Sequence, residues 1–231
     1  MTTPLPLPLP LPMTMTTSML NPTDELAQMR AQIAVAAARM VAQDGADYAT
    51  AKRKAATQVL GDMQATSGVL PDNTEIEEEV LRYQALFQLD TQPARLLRLR
   101  TIALQVMDAL AEFKPYVTGP VLTGSAGEHD DIALQLFADS AKEVQIFLLD
   151  KKVDFDLTET PHFKGARFEP VETVSFLWHK EGVHAELYEL NDLRGALKPR
   201  ADGKPARADA AALRALMQQV SPPAAPTQES A

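Results

Sequence analysis

The chain has 231 residues, 45% of them hydrophobic and 23% charged, with a formal net charge of −9 and no cysteine. A chain of this size and composition can bury a sizeable core without staples, and the lack of cysteine excludes disulfides, zinc–thiolate sites and cysteine nucleophiles. The acidic balance opposes extended, salt-driven binding to nucleic acid, which needs a cationic face, and no apolar run reaches the roughly 20 residues of a membrane span.

Residues 1–22 are of low complexity. Leucine and proline alternate from Leu5 to Pro12, and methionine and threonine follow. Proline removes backbone donors and favours extended chain, so this stretch reads as a disordered leader. It carries no Lys or Arg before Arg30. A secretory signal wants a basic start and an unbroken apolar run, so the expected location is the cytoplasm. From Thr23, a candidate N-cap, the residues Leu26, Met29, Ile33, Ala37 and Met40 recur at helical steps and Gly45 closes the helix. A second helix spans Tyr48 to Leu60, with Gly61 just past its end. Pro71 opens a third, with Ile76, Val80, Tyr83 and Phe87 inward. Pro93 opens a fourth, with a stripe of Leu96, Leu99, Ala103, Val106, Leu110 and Phe113. Residues 23–114 therefore read as a helical bundle.

The character changes at Pro115. Val117 to Leu122 and Asp131 to Phe137 read as strands. Ser140 to Leu149 fits either a helix or a strand. Val153 to Thr158, Glu172 to Trp178 and Val183 to Leu190 are further strands, the last two joined by a tight turn at Glu181-Gly182. Residues 115–198 thus form an α/β domain, 199–220 a C-terminal extension with a helix from Ala208 to Val220, and 221–231 a frayed, disordered tail. The fold class is α+β: helices first, then a mixed sheet with flanking helices.

The chemistry concentrates between the first two strands. Gly124 lets the backbone approach a phosphate, and Ser125 adds a hydroxyl donor. Such a dipeptide also closes many ordinary turns. On the following strand Asp131, Ala133, Gln135 and Phe137 share one face. Carboxylates at positions i and i+2 would clamp Mg²⁺, but the second position is Ala133 and Gln135 is only a neutral donor. A second acid could come from Glu186, between apolar neighbours on a later strand; Asp154 and Asp156 are weaker candidates.

These residues resemble the nucleotidyltransferase superfamily that includes DNA polymerase beta, in which a strand ends in Gly-Ser and Asp-hydrophobic-Asp opens the next strand, with a third carboxylate further on. Residues from about Arg30 to Ala210 are also similar to a group of proteobacterial nucleotidyltransferase-like proteins, through Ala51-Lys52-Arg53-Lys54-Ala55-Ala56, Leu70-Pro71-Asp72-Asn73, Tyr83-Gln84-Ala85-Leu86-Phe87, Ile132 to Phe137, Glu143 to Leu149 and Asp192-Leu193-Arg194-Gly195. The resemblance implies a nucleotidyltransferase-like sheet. It implies that Gly124 and Ser125 hold the phosphates of a nucleoside triphosphate, and that Asp131 and Glu186 hold Mg²⁺ and do the catalysis. The acceptor is open. Ala133 departs from the pattern, and the loop from Ser125 to Asp131 is short. Two-metal chemistry needs shared acidic ligands, so one ion fits and a second does not, unless Glu128 or Asp130 compensates. Three readings follow: a Mg²⁺-dependent nucleotidyltransferase, a catalytically inactive relative serving as a binding or regulatory module, or a protein-interaction scaffold.

Other charged groups read as solvated faces, or as phosphate contacts across the domain junction: Lys52, Arg53 and Lys54; Arg95, Arg98 and Arg100; Lys198, Arg200, Lys204 and Arg207. His129, His162, His179 and His184 lack metal-ligand spacing, though His129 lies in the Gly-Ser loop. Trp178 and Tyr188 read as packing residues. No serine–histidine–acid set is evident from their order.

Overall fold

A computed structural model describes residues 22–61, 68–194, 200 and 202–220. The expectations for the leader before Pro22, for the tail from Ser221, and for Lys198 lie outside these residues. The fold is α+β: helices α1 (Pro22–Asp44), α2 (Tyr48–Leu60), α3 (Asn73–Phe87) and α4 (Gln92–Ala109) precede strand β1 (Tyr116–Thr118), helix α5 (Gly119–Thr123), β2 (Ile132–Ala138), α6 (Ala141–Asp150), β3 (Phe155–Thr160), β4 (Val171–Trp178), β5 (Glu181–Glu189) and α7 (Ala210–Val220). No helix among the described residues is long and apolar enough to cross a membrane.

Local signals account for most of the boundaries. Asp72 caps α3, accepting from the Glu75 N–H at 2.9 Å while Glu75 accepts from the Asp72 N–H at 2.7 Å. This reciprocal box starts α3 after Pro71 rather than at it. Asp47 caps α2 through the Thr50 N–H. Pro22 opens α1, so Thr23 lies inside the first turn rather than capping it. Ser140 caps α6, which decides between helix and strand for that segment.

Five strands form one sheet in the order β1-β2-β5-β4-β3. β2 and β5 are parallel; the other pairs are antiparallel. Three expectations are corrected here. The strand expected over Val117–Leu122 stops at Thr118, because Gly119 turns the chain with φ +62° into the short helix α5. The β4–β5 turn is His179-Lys180, both at positive φ, and Glu181 and Gly182 already belong to β5. Phe87, expected inward on α3, is 69% exposed; Gln84 is buried in the same helix.

Two cores result. Ile33, Ala37, Ala51, Ala55, Ile76 and Val80 close the first, among α1, α2 and α3. The second joins Val117, Ile132, Leu134, Val183, Ala185 and Val174 of the sheet to Leu99, Ala103 and Val106 of α4, Val144 and Leu148 of α6, and Leu213 of α7. The apolar stripe expected on α4 is present. It packs on the sheet rather than completing a four-helix bundle.

Helices cover one face of the sheet; the opposite face is buried at Gln135, Phe137, Thr173 and Tyr188 and open at the end of Asp131 and His184. Side chains alternate along each strand, and the register aligns that face in rows: Thr118, Ala133, His184, Ser175 and Asp156 form one, and Tyr116, Gln135, Glu186, Thr173 and Thr158 the next.

Candidate functional site

The Gly-Ser loop is the first expected element to be placed. Gly124 ends α5 at φ +96°, and its N–H donates to Pro120 O at 2.9 Å. Gly127 N–H donates to Asp130 Oδ2 at 2.7 Å, and Ala126 N–H returns to Pro120 O. Those amides are spent within the loop. Its carbonyls instead face donors from the helices: Gln92 Nε2 donates to Gly124 O and Ala126 O, both at 2.9 Å, and Arg95 to Gly127 O at 3.3 Å. A ring of carbonyls answered by arginine and glutamine is the reverse of an anion cradle.

Ser125 is 3% exposed. Its Oγ donates to Glu77 Oε1 at 3.1 Å, and Gln84 Nε2 donates to Ser125 O at 2.7 Å. Thr123 Oγ1 also donates to Glu77, at 2.5 Å, and Arg200 pairs with the other Glu77 oxygen. Burial pushes the neighbouring Tyr48 phenol up to about 12. The segment therefore joins the helical unit to the sheet through a buried polar network. It is His129 that seats the loop on α1, with Nε2 3.2 Å from Gln43 O; a Cβ at Gly45 would lie 2.6 Å from His129 Cβ.

Asp131 lies at the mouth of the polar face, just before β2, with its side chain 49% exposed. Its Oδ2 stands 3.0 Å from His184 Nε2, and His184 Nδ1 stands 2.8 Å from Ser175 Oγ. An ionised carboxylate only accepts, so Nε2 carries the ring proton and Nδ1 is free to accept from the serine hydroxyl. Gly182 makes room for this chain, because a Cβ there would meet Asp131 Cγ and Oδ1 at 2.5 Å. The glycine expected to form a turn thus serves a close approach between side chain and backbone.

Glu186 shares the face with Asp131 but not its position. In the β2–β5 register Ile132 is opposite Val183 and Gln135 opposite Glu186. Four residues of β5 separate Glu186 from the level of Asp131, roughly 13 Å at the rise of a parallel strand. The Glu186 carboxylate is taken by Tyr188 Oη at 2.7 Å and Gln135 Nε2 at 3.3 Å. The residue level with Ala133 is His184. Oxygen ligands of one Mg²⁺ lie about 2.1 Å from it, so Asp131 and Glu186 do not fit a shared ion.

Several of the remaining candidates have partners. Burial raises the Asp130 carboxyl, against the Gly127 N–H that it accepts. Glu128 is exposed. Arg95 and Arg98 both reach Glu181 at 2.6 Å, and buried Arg100 donates to Val121 O and Leu122 O. Lys52 donates to Asn73. His162 lies 3.5 Å from Asp192, which Lys164 reaches at 2.6 Å. Tyr188 stacks on Phe137 at 5.6 Å, in the packing role expected of it.

A groove of about 650 Å³ opens where Asp131, Ser175 and His184 meet the start of β3. Asp154, Asp156 and Lys152 line it, with Leu177 as apolar wall. Its three carboxylates outnumber its one ammonium. Sequence reasoning passed over Ser175, set His184 aside for want of metal-ligand spacing and read Gly182 as a turn. Each is unremarkable in order, and only the pairing of β5 with both β2 and β4 brings them together. No family model matches the chain, and no curated protein matches it.

Proposed function

We propose that the chain is a relative of the nucleotidyltransferase superfamily that has lost nucleotidyl transfer and serves as a binding module, with the groove at Asp131 as its binding site. One observation carries this reading: level with Ala133, on the strand parallel to β2, stands His184, so one acid remains where the family pattern wants three. The residues after β1 support it as well. Gly119-Pro120 ends that strand, and proline supplies neither a hydroxyl nor an N–H to a phosphate.

The ligand follows from the lining. Asp131, Asp154 and Asp156 against Lys152 disfavour a polyphosphate and favour a small neutral or cationic molecule with an apolar part for Leu177. A thermal-shift panel tests this, with nucleoside triphosphates run with and without Mg²⁺ beside butyrylthiocholine. The expected result is stabilisation by the cation, reduced in Asp156→Asn, and none by nucleotides. Mg²⁺-dependent stabilisation by a nucleotide would restore the nucleotidyltransferase reading.

A further inference from the structure

We propose that the groove hydrolyses small carboxylic esters, with Ser175 as nucleophile, His184 as proton carrier and Asp131 as the residue that positions the imidazole. This rests on the reading of the groove as a ligand site and names the reaction performed there.

The geometry supplies what a nucleophilic serine needs. Ser175 Oγ is 2.8 Å from His184 Nδ1, and His184 Nε2 is 3.0 Å from Asp131 Oδ2. Both distances lie in the reach that such relays use. The ring is turned relative to the serine-protease arrangement, where Nε2 faces the serine. The relay requires only that one nitrogen accept the serine proton while the other donates to the acid. Side chains from two paired strands and from the residue that leads into a third hold the relay: His184 is opposite Ser175 across β5–β4, and Asp131 stands one residue before Ile132 pairs with Val183. Ser175 and His184, on paired strands, are held by backbone hydrogen bonds rather than by a mobile loop. The groove opens directly onto all three residues.

In the first half-reaction Ser175 Oγ forms a bond to the ester carbonyl carbon while its proton passes to His184 Nδ1. The carbonyl electrons move to oxygen, and the Lys152 ammonium on the groove wall is the group available to meet that charge. The carbon–oxygen bond to the alcohol then breaks, and the alcohol leaves with the proton from Nδ1. Water repeats the sequence on the acyl-serine, giving the acid and restoring the hydroxyl. Asp131 stays ionised and accepts from Nε2–H throughout. Asp156, level with Ser175 on β3, places a negative charge beside the nucleophile. That selects esters with a neutral or cationic alcohol and rejects anionic ones.

Turnover of butyrylthiocholine, labelling by a biotinylated fluorophosphonate, and calorimetric binding of butyrylthiocholine to Ser175→Ala test the proposal together. The expected result is thiol release by the wild-type chain, with the phosphonate located on Ser175 by peptide mass spectrometry. Ser175→Ala and His184→Gln should each lower kcat/KM by about 100-fold or more, while Ser175→Ala still binds the ester. Asp131→Asn should lower kcat far more than the lost groove charge raises KM, because an amide donating to Nε2 moves the ring proton to Nδ1 and blocks the serine. Binding without turnover or labelling would overturn the hydrolysis and leave the binding reading standing. A label that persists in Ser175→Ala would overturn it too, and absence of binding would remove both.

Discussion

At the residue scale, Gly182 shows why the site was hard to read. In sequence, Glu181-Gly182 looks like a turn. In the fold, the turn falls on His179-Lys180 at positive φ, and Gly182 is a gap into which the Asp131 carboxylate folds. The clash that alanine would create is with the far end of a flexible side chain, and φ at Gly182 is not in the left-handed region. Gly182→Ala should therefore cost at most about 1 kcal/mol in urea unfolding. It should also displace Asp131 and shift the His184 ring resonances in ¹⁵N NMR. A collapse in stability with an unchanged imidazole spectrum would contradict this role. Asp131 and its strand face were legible from the period of two. Its partner was not, since Glu186 and His184 differ by one strand repeat and only the parallel register chooses between them.

The same scale explains the fate of Gly124 and Ser125. A glycine followed by serine fits a phosphate loop and a helix C-cap equally well. The choice was made by α5, five residues too short to announce itself, and by Glu77, Gln84 and Gln92, which lie more than thirty residues away in the chain.

At the element scale, helices were the more legible part, because their caps and stripes are local. Asp72→Ala should cost about 1 kcal/mol in thermal or urea unfolding by breaking the box with Glu75, and Asp72→Ser should recover most of it. The stripe on α4 was legible as a stripe, but its partner was not. Leu99, Ala103 and Val106 would suit a bundle or a sheet, and the covering of Val117, Ile132 and Leu134 decided it. The strands after Asp131 were found within a few residues, since alternation of polar and apolar side chains marks strands that put one face on a core.

Ion pairs link these elements. Glu181 on β5 sits between Arg95 and Arg98 of α4. Burial pushes its carboxyl up, but the Arg98 and Arg95 guanidinium groups outweigh this and hold it below the usual range. The Arg30 guanidinium lowers Glu75 likewise, joining α1 to α3. A carboxylate with a lowered folded pKa adds stability above its unfolded pKa and loses it as pH falls through the folded value. Stability measured by urea unfolding should therefore decline below the ordinary glutamate range. In Glu181→Gln the decline should be shallower and the neutral-pH stability lower. Parallel pH profiles for the two proteins would contradict the assignment.

At the scale of the whole molecule, two apolar cores meet through polar contacts. Glu77, Ser125, Thr123 and Arg200 form the junction. These hydrogen bonds tie the helical unit to the sheet across that boundary. They also account for the buried Gly-Ser loop, and they leave the open polar end of the sheet, at Asp131, His184 and Ser175, as the surface with chemistry to offer. The occupant proposed for this groove is a neutral or cationic ligand on a hydrogen-bonded relay, and not a metal-bound nucleotide. Ring ¹⁵N NMR of His184 in the Ser175→Ala protein tests it most directly, titrated first with butyrylthiocholine and then with Mg²⁺ and a nucleoside triphosphate. The His184 signals should move saturably with the ester and stay still with the magnesium nucleotide; movement with the nucleotide alone would overturn the proposed occupant.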